Sequence, residues 1–286
     1  MKRVFGFLTT VLLSSAAIVE ASDGPKQRPN ILVILADDLG YSDIPAHGGH
    51  GLAMPHLEAL TQRGVRFSNG YVTSPQCSPS RCGLLTGIYN QRFGHEHNGC
   101  QRAAFDAGAK TLAEHLRPSG YATAAFGKWH LGDNLDSHHP TQHGFDEAWG
   151  YKDYAEAAKS EQLGFPVPLR PANAFHAQAF ATRAARFIET HAAQPWFVFL
   201  ACHEPHVQVI PTPDSEALTL AGSDNPLRQK CLAALHDLDA GVGIVMTKLR
   251  ALELEERTLI VFLSDNGAPI EALEVAQQAR QKPKVA

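Results

Sequence analysis

An α/β fold with a largely parallel central sheet, covered by helices on both faces, is predicted for this 286-residue chain by two observations. Four short apolar runs, residues 31–36, 121–126, 196–201 and 259–263, are rich in β-branched or aromatic side chains and read as strands buried on both faces. Helical patterns lie between them, and strands that alternate with helices pair in parallel because each crossover returns the chain to the same end of the sheet.

Taken in chain order, the start comes first. Met1-Lys2-Arg3, an apolar stretch over residues 4–19 and then Glu20-Ala21-Ser22 have the basic head, hydrophobic middle and small-residue end of a secretory signal. The run falls short of the roughly 20 residues that span a bilayer and carries Thr and Ser, so a cleaved signal over 1–21 is expected rather than an anchor. That leaves residues 22–286 as the domain, periplasmic or secreted, with no membrane attachment after cleavage. Helices are expected over 54–63, 81–88, 112–117, 174–191 and 227–252, the last breaking near Gly241 and Gly243.

In such sheets ligands bind beyond the carboxyl ends of the strands. Asp37 and Asp38 follow the first predicted strand, Lys128 and His130 the second, His203 and His206 the third, Asp265 and Asn266 the fourth. Core packing does not explain four strand ends that all deliver polar groups to one edge. Asp37, Asp38 and Asp265 would repel one another by about 4 kcal/mol per pair at 4 Å and an effective dielectric of 20, so a cation is expected among them. With Asn266 adding a carbonyl oxygen, the ligands are hard oxygens that favour calcium or magnesium over zinc.

A second cluster is Cys77-Ser78-Pro79-Ser80-Arg81. Pro79 suits a first helical turn and Ser78 or Ser80 a cap, which would put Cys77 where free N–H groups attract an anion, beside the oxyanion-matching fork of Arg81. The chain has five cysteines, an odd number, so an exported form leaves at least one unpaired, and Cys77 is the natural one. His95 and His97 follow this segment and read equally well as solvated loop residues. The net charge of −4 and scattered histidines supply no basic stripe, which excludes nucleic acid as an expected partner.

These segments together, Cys77 to Gly87, residues 28–40 ending in Asp37-Asp38-Leu39-Gly40, Phe126-Gly127-Lys128-Trp129-His130-Leu131-Gly132 and Phe262-Leu263-Ser264-Asp265-Asn266-Gly267, resemble the type I sulfatases in content and order. The resemblance implies an alkaline-phosphatase-like fold for 22–286, the N-terminal catalytic domain of a sulfuric ester hydrolase. It further implies that a maturation enzyme converts Cys77 to formylglycine, whose hydrate attacks the sulfur of a sulfate monoester; a sugar sulfate is the expected substrate. One calcium would be held by Asp37, Asp38, Asp265, Asn266 and the residue at 77. Arg81 would hold the hydrated aldehyde, Lys128 the sulfate, His130 would be the base in the elimination step, and His206 would protonate the leaving oxygen; His203 is a lesser candidate.

The pattern departs from the family after Gly267. Members usually continue into a further sulfate-gripping lysine and a smaller C-terminal subdomain, whereas the segment 269–286 offers no Gly-rich lysine match, and region 151–171 is short. A truncated, weakly active or inactive domain is therefore one alternative. A phosphate or phosphonate ester hydrolase of the same superfamily is the other.

Overall fold

The computed structural model describes residues 28–49, 51–101, 103–132, 135–150, 177–206, 211–218 and 225–268. The expected signal, the region 151–171, the start of the helix expected at 174 and the segment after 268 lie outside these residues.

Five strands form one sheet: β1 (Asn30–Ala36), β2 (Ala122–Gly127), β3 (Glu147–Trp149), β4 (Trp196–Ala201) and β5 (Thr258–Ser264). Their order is β3-β2-β4-β1-β5, and every pairing is parallel. The four expected strands are present to within a residue. β3 was not expected, because three residues are too few to show a period.

Side chains alternate between the faces, as pleating dictates. Leu32, Ile34, Phe126, Val198 and Leu200 pack on one side against Phe180, Phe187, Leu235, Leu238 and Met246. These come from two long helices, numbered here α4 (Ala177–Thr190) and α5 (Pro226–Ala251). Val33, Leu35, Phe197 and Phe199 pack on the other side with Cys82, Leu85, Trp129 and Phe145. The helix covering that side, α2 (Cys77–Thr86), follows α1 (Pro55–Arg63), while the short α3 (Leu112–Leu116) precedes β2. β5 is the edge strand on the side of β1, and Leu259 and Val261 are partly exposed there.

Two local expectations are corrected. α5 runs unbroken through Gly241 and Gly243, whose roles are in packing: a Cβ at 241 would lie 2.9 Å from the Ala177 Cβ, and one at 243 would lie 2.4 Å from the His56 ring. A hydrogen-bonded run of this length absorbs the roughly 1 kcal/mol that a helical glycine costs. Close approach also explains Asp239, whose carboxylate accepts from the backbone N–H groups of His56 and Leu57 and so caps α1 from a different helix.

The second correction concerns α2, which begins at Cys77 rather than at Arg81. Gln76 is its N-cap and makes no side-chain cap bond, and neither Ser78 nor Ser80 caps it as the sequence suggested. The Ser78 hydroxyl is engaged elsewhere, with His95 and the backbone carbonyl of His130.

Candidate active site

Because β2, β4, β1 and β5 are consecutive neighbours and parallel, the residues following them meet along one edge. Backbone bonds stitch these ends together: Cys202 N donates to Leu35 O at 2.8 Å, Asp37 N to Glu204 O at 3.1 Å, Asp265 N to Ala36 O at 3.0 Å and Lys128 N to Ala201 O at 2.8 Å. The last contact requires Gly127. Its φ is +104°, and a Cβ there would sit 1.9 Å from the Ala201 carbonyl oxygen.

Asp37, Asp38, Cys77, Arg81, Asp265 and Asn266 are all buried. Two sets of side chains, Asp37 with Asp38 and His206, and Asp37 with Cys77 and Asp265, place ligand atoms within 4.8 Å of one another. The structure thus brings the expected carboxylates and position 77 together, and adds His206, whose Nε2 lies 3.4 Å from Asp38 Oδ2. Asp38 adopts a left-handed backbone, φ +64°, and its N–H donates to Asp265 Oδ1 at 3.2 Å. Asn266 Nδ2 donates to Asp38 Oδ1 at 2.6 Å, while its buried Oδ1 has no hydrogen-bond partner among the described residues.

That orphaned carbonyl oxygen is a test of the cation expectation. A buried acceptor without a donor costs about 1–3 kcal/mol, and a hard cation shared with three carboxylates satisfies it. Asp37, Asp38, Asp265 and Asn266 therefore fit a bound calcium.

The two cations of the site are tied to the same carboxylates. Lys128 Nζ donates to both oxygens of Asp37, at 2.6 and 2.8 Å. Arg81 is fully buried; its Nε donates to Asp265 Oδ2 at 2.8 Å, its Nη2 is 2.7 Å from the same oxygen and 3.6 Å from Asp37 Oδ1, and its Nη1 donates to Lys128 O at 2.5 Å. Burial would push the Asp37 carboxyl up, but Arg81 and then Lys128 outweigh it and hold the group well below the usual carboxylate range. Asp265 is pushed the other way, to about 6, by burial that the Arg81 charge does not fully offset.

Burial pushes the Cys77 thiol up to about 11, with Lys128 opposing and Asp37, Asp265 and Asp38 reinforcing. All five cysteines are free thiols.

His130 sits just past β2 with φ +58°. His203 is half-buried, stacks on Phe180 with ring centroids 6.0 Å apart, and is lowered to about 3 mainly by burial, which is how a packed neutral imidazole behaves. His206, not His203, reaches the carboxylates. Sequence reasoning left His95 unassigned; it is fully buried and 2.8 Å from the Ser78 hydroxyl. Its spacing from Cys77 carries no period that would have revealed it.

Comparison with known proteins now bears on this edge of the sheet. Residues 29–284 match the Sulfatase family. The chain is 31% identical over 290 residues to an N-acetylgalactosamine-6-sulfatase of Mus musculus, covering 91% of this chain and 54% of that protein. It is 26% identical over 320 residues to an N-acetylgalactosamine-6-O-sulfatase of Bacteroides thetaiotaomicron, covering 86% and 60%. The crystal structure of Ps i-CgsB, solved in complex with k-i-k-neocarrahexaose, superposes with a TM-score of 0.73 at 29% identity, over 86% of this chain and 60% of that one. The chain spans about half the length of the curated relatives it matches. Among the described residues, no helix is long and apolar enough to cross a membrane. With the parallel sheet, the strand-end carboxylates and the cysteine elbow in place, the match over nearly the whole described chain shows that the protein belongs to the type I sulfatase family.

Proposed function

We propose that the chain hydrolyses sulfate monoesters of carbohydrates at the edge where β2, β4, β1 and β5 end, using residue 77 as the attacking group after its conversion to formylglycine. The observation that carries this reading is the place of Cys77: it is buried at the start of α2, with ligand atoms of Asp37, Cys77 and Asp265 all within 4.8 Å of one another. Burial raises its thiol to about 11, which disfavours the thiolate and supports a different nucleophile at this position. Hydrated formylglycine supplies a hydroxyl for attack on sulfur and a second hydroxyl through which sulfate is later expelled.

A calcium held by Asp37, Asp38, Asp265, Asn266 and residue 77 would neutralise sulfate oxygens and make the attacking hydroxyl more acidic. The chain's own residues do the rest. Arg81 keeps Asp265 and Asp37 oriented through Nε and Nη2, and its permanent charge, buried beside position 77, favours an oxyanion there. Lys128, whose side chain keeps 13% exposure, grips a sulfate oxygen while remaining the partner of Asp37. His206 gives its proton to the departing alcohol oxygen, and His130 takes the proton from the second hydroxyl as sulfate leaves.

The substrate class follows from the relatives, two named for N-acetylgalactosamine 6-sulfate groups and one solved with a carrageenan-type oligosaccharide. The basic-then-apolar start over 1–21 supports export to the periplasm or medium, after encounter with a formylglycine-generating enzyme.

The test is mass spectrometry of position 77 in protein from a host that carries the maturation enzyme, with a sulfate-release assay on sulfated galactosamine and carrageenan oligosaccharides in calcium. Aldehyde at 77 together with turnover that vanishes in Cys77→Ala is expected. An unconverted thiol in that host would sink the reading, and conversion without turnover would limit the chain to a non-catalytic domain.

A further inference from the structure

The Ser78 hydroxyl makes two hydrogen bonds and owns one proton. Its Oγ lies 2.7 Å from the backbone oxygen of His130 and 2.8 Å from Nε2 of His95. A carbonyl oxygen can only accept, so the hydroxyl proton points at His130. Ser78 must then accept from His95, and Nε2 of that ring carries a proton. The other ring nitrogen, Nδ1, is buried with no partner among the described residues, so a second proton there would have nowhere to go. Burial drives the His95 pKa down to about 4, with His97 adding to the effect, which agrees with a single-proton ring.

The surroundings fix this relay at both ends. Asn90 Nδ2 donates to the His95 carbonyl at 2.6 Å, and the fully buried Asn90 and His95 frame a tight turn, with His95 N donating to Asn90 O. Asn98 Oδ1 accepts from Ser78 N at 3.1 Å, and Gln76 Oε1 accepts from Asn98 N at 3.0 Å. Ser78 is thus clamped by backbone and side chain together. The far end of the relay is the carbonyl of a non-glycine residue with φ +58°, a conformation that persists only where its surroundings impose it.

We propose that His95 is a positioning residue, which as its Nε2–H tautomer holds Ser78 so that the serine proton is committed to the His130 carbonyl, locking the start of α2 to the turn that carries Lys128 and His130. The relay fixes the distance between position 77, adjacent to Ser78, and the His130 imidazole. This rests on the reading of 77 and His130 as reacting partners, and its own structural claim does not need turnover to be checked.

Two measurements test it. Long-range ¹⁵N–¹H spectra of histidine-labelled protein should show His95 as the Nε2–H tautomer, without titration from pH 8 to 5; an Nδ1–H tautomer or a doubly protonated ring at neutral pH overturns the relay. Crystal structures of Ser78→Ala and His95→Leu should show residue 130 leaving its left-handed conformation, and an unchanged backbone at 130 in both overturns the positioning whether or not the wild type turns over.

With turnover in hand, His95→Leu should lower kcat about 10- to 100-fold per converted site with KM within twofold, as misplacement of reacting groups does. His95→Gln, which keeps a donor near the Nε2 position, should recover most of it. Equal losses in both variants that track the folded fraction would reduce His95 to a core residue. Absence of turnover in the wild type would instead tell against the proposed function, with the tautomer and the variant structures still deciding the relay.

Discussion

Lys128 Nζ bridges both carboxylate oxygens of Asp37, at 2.6 and 2.8 Å, so the residue expected to grip sulfate is also the counter-charge of a fully buried carboxylate. The two duties are compatible, because an ammonium has three protons and Asp37 takes two. They also make Lys128 a stability residue. Replacement by Met leaves the Arg81 Nη2, 3.6 Å away, as the nearest permanent positive charge to Asp37 among the described residues. Lys128→Met should cost about 3 kcal/mol, the low end for breaking a buried pair, since the ammonium retains some solvent contact. Urea unfolding at pH 7 checks this, and a change under 0.5 kcal/mol would show that Asp37 does not depend on Lys128.

The oxygen cluster predicts a response to calcium that needs no substrate. Asp37, Asp38 and Asp265 crowd together, Asn266 Oδ1 is without a donor, and Asp265 is raised to about 6, all of which a divalent cation relieves. Calcium at 100 times its dissociation constant stabilises by about 2.7 kcal/mol, or roughly 5 °C in melting temperature for a domain of this size. Asn266→Leu, close in volume, should lose most of that shift. An equal calcium shift in Asn266→Leu and Asp265→Ala would place the ion elsewhere.

Alkylation separates the cysteines. Thiolate is the reactive form, and at a thiol pKa of about 11 only about one in a few thousand Cys77 groups is ionised at pH 7.5. Cys82 is likewise raised to about 11 and Cys202 is raised well above the usual thiol value, both by burial, whereas Cys100 is only half-buried. Native unconverted protein treated with iodoacetamide should therefore be labelled first at Cys100, with Cys77 reacting only after unfolding. Rapid native labelling at 77 would mean a low-pKa thiol and would remove the argument for its conversion.

How much of this was legible in the sequence depended on the range of each interaction. β1 and β4 were readable because strands buried on both faces must be apolar throughout, and β5 because its run is as apolar although, as the edge strand, it leaves Leu259 and Val261 exposed; the carboxylates after β1 and β5 were readable because a polar pair directly beyond such a run has no core role. β3 escaped because three residues pair only through the register Ala124–Glu147 to Phe126–Trp149, which no local period announces. The break expected in α5 failed because Gly241 and Gly243 answer to Ala177 and His56, far away in sequence. The state of the Cys77 thiol was not legible for a similar reason: the helix start is local, but the burial that raises the thiol and the charges around it come from elements far away in the chain. His95 depends on a hydroxyl 17 residues earlier and a carbonyl 35 residues later, a geometry that exists only once the sheet has assembled.

Glu204 carries the last prediction. It is fully buried beside the His206 loop, its Oε1 accepts from Ala177 N at 2.7 Å at the start of α4, and burial pushes its carboxyl from 4.5 up to about 8. A folded pKa above the unfolded one means the native state binds the proton more tightly. Its contribution to stability is therefore complete below pH 4.5 and is lost progressively as pH rises through 8. The loss amounts to at most about 5 kcal/mol at pH 9 or above, since a shift of one unit is worth roughly 1.4 kcal/mol and the carboxyl moves from 4.5 to about 8. Glu204→Gln keeps an oxygen for the Ala177 N–H and cannot ionise. Its stability should match the wild type at pH 4 and exceed it by a margin that grows between pH 5 and 8 and levels off above, measured by denaturant unfolding at each pH. Parallel curves across that range would show that Glu204 is ionised in the native protein already at neutral pH, and that the start of α4 is held to a carboxylate rather than to a carboxylic acid.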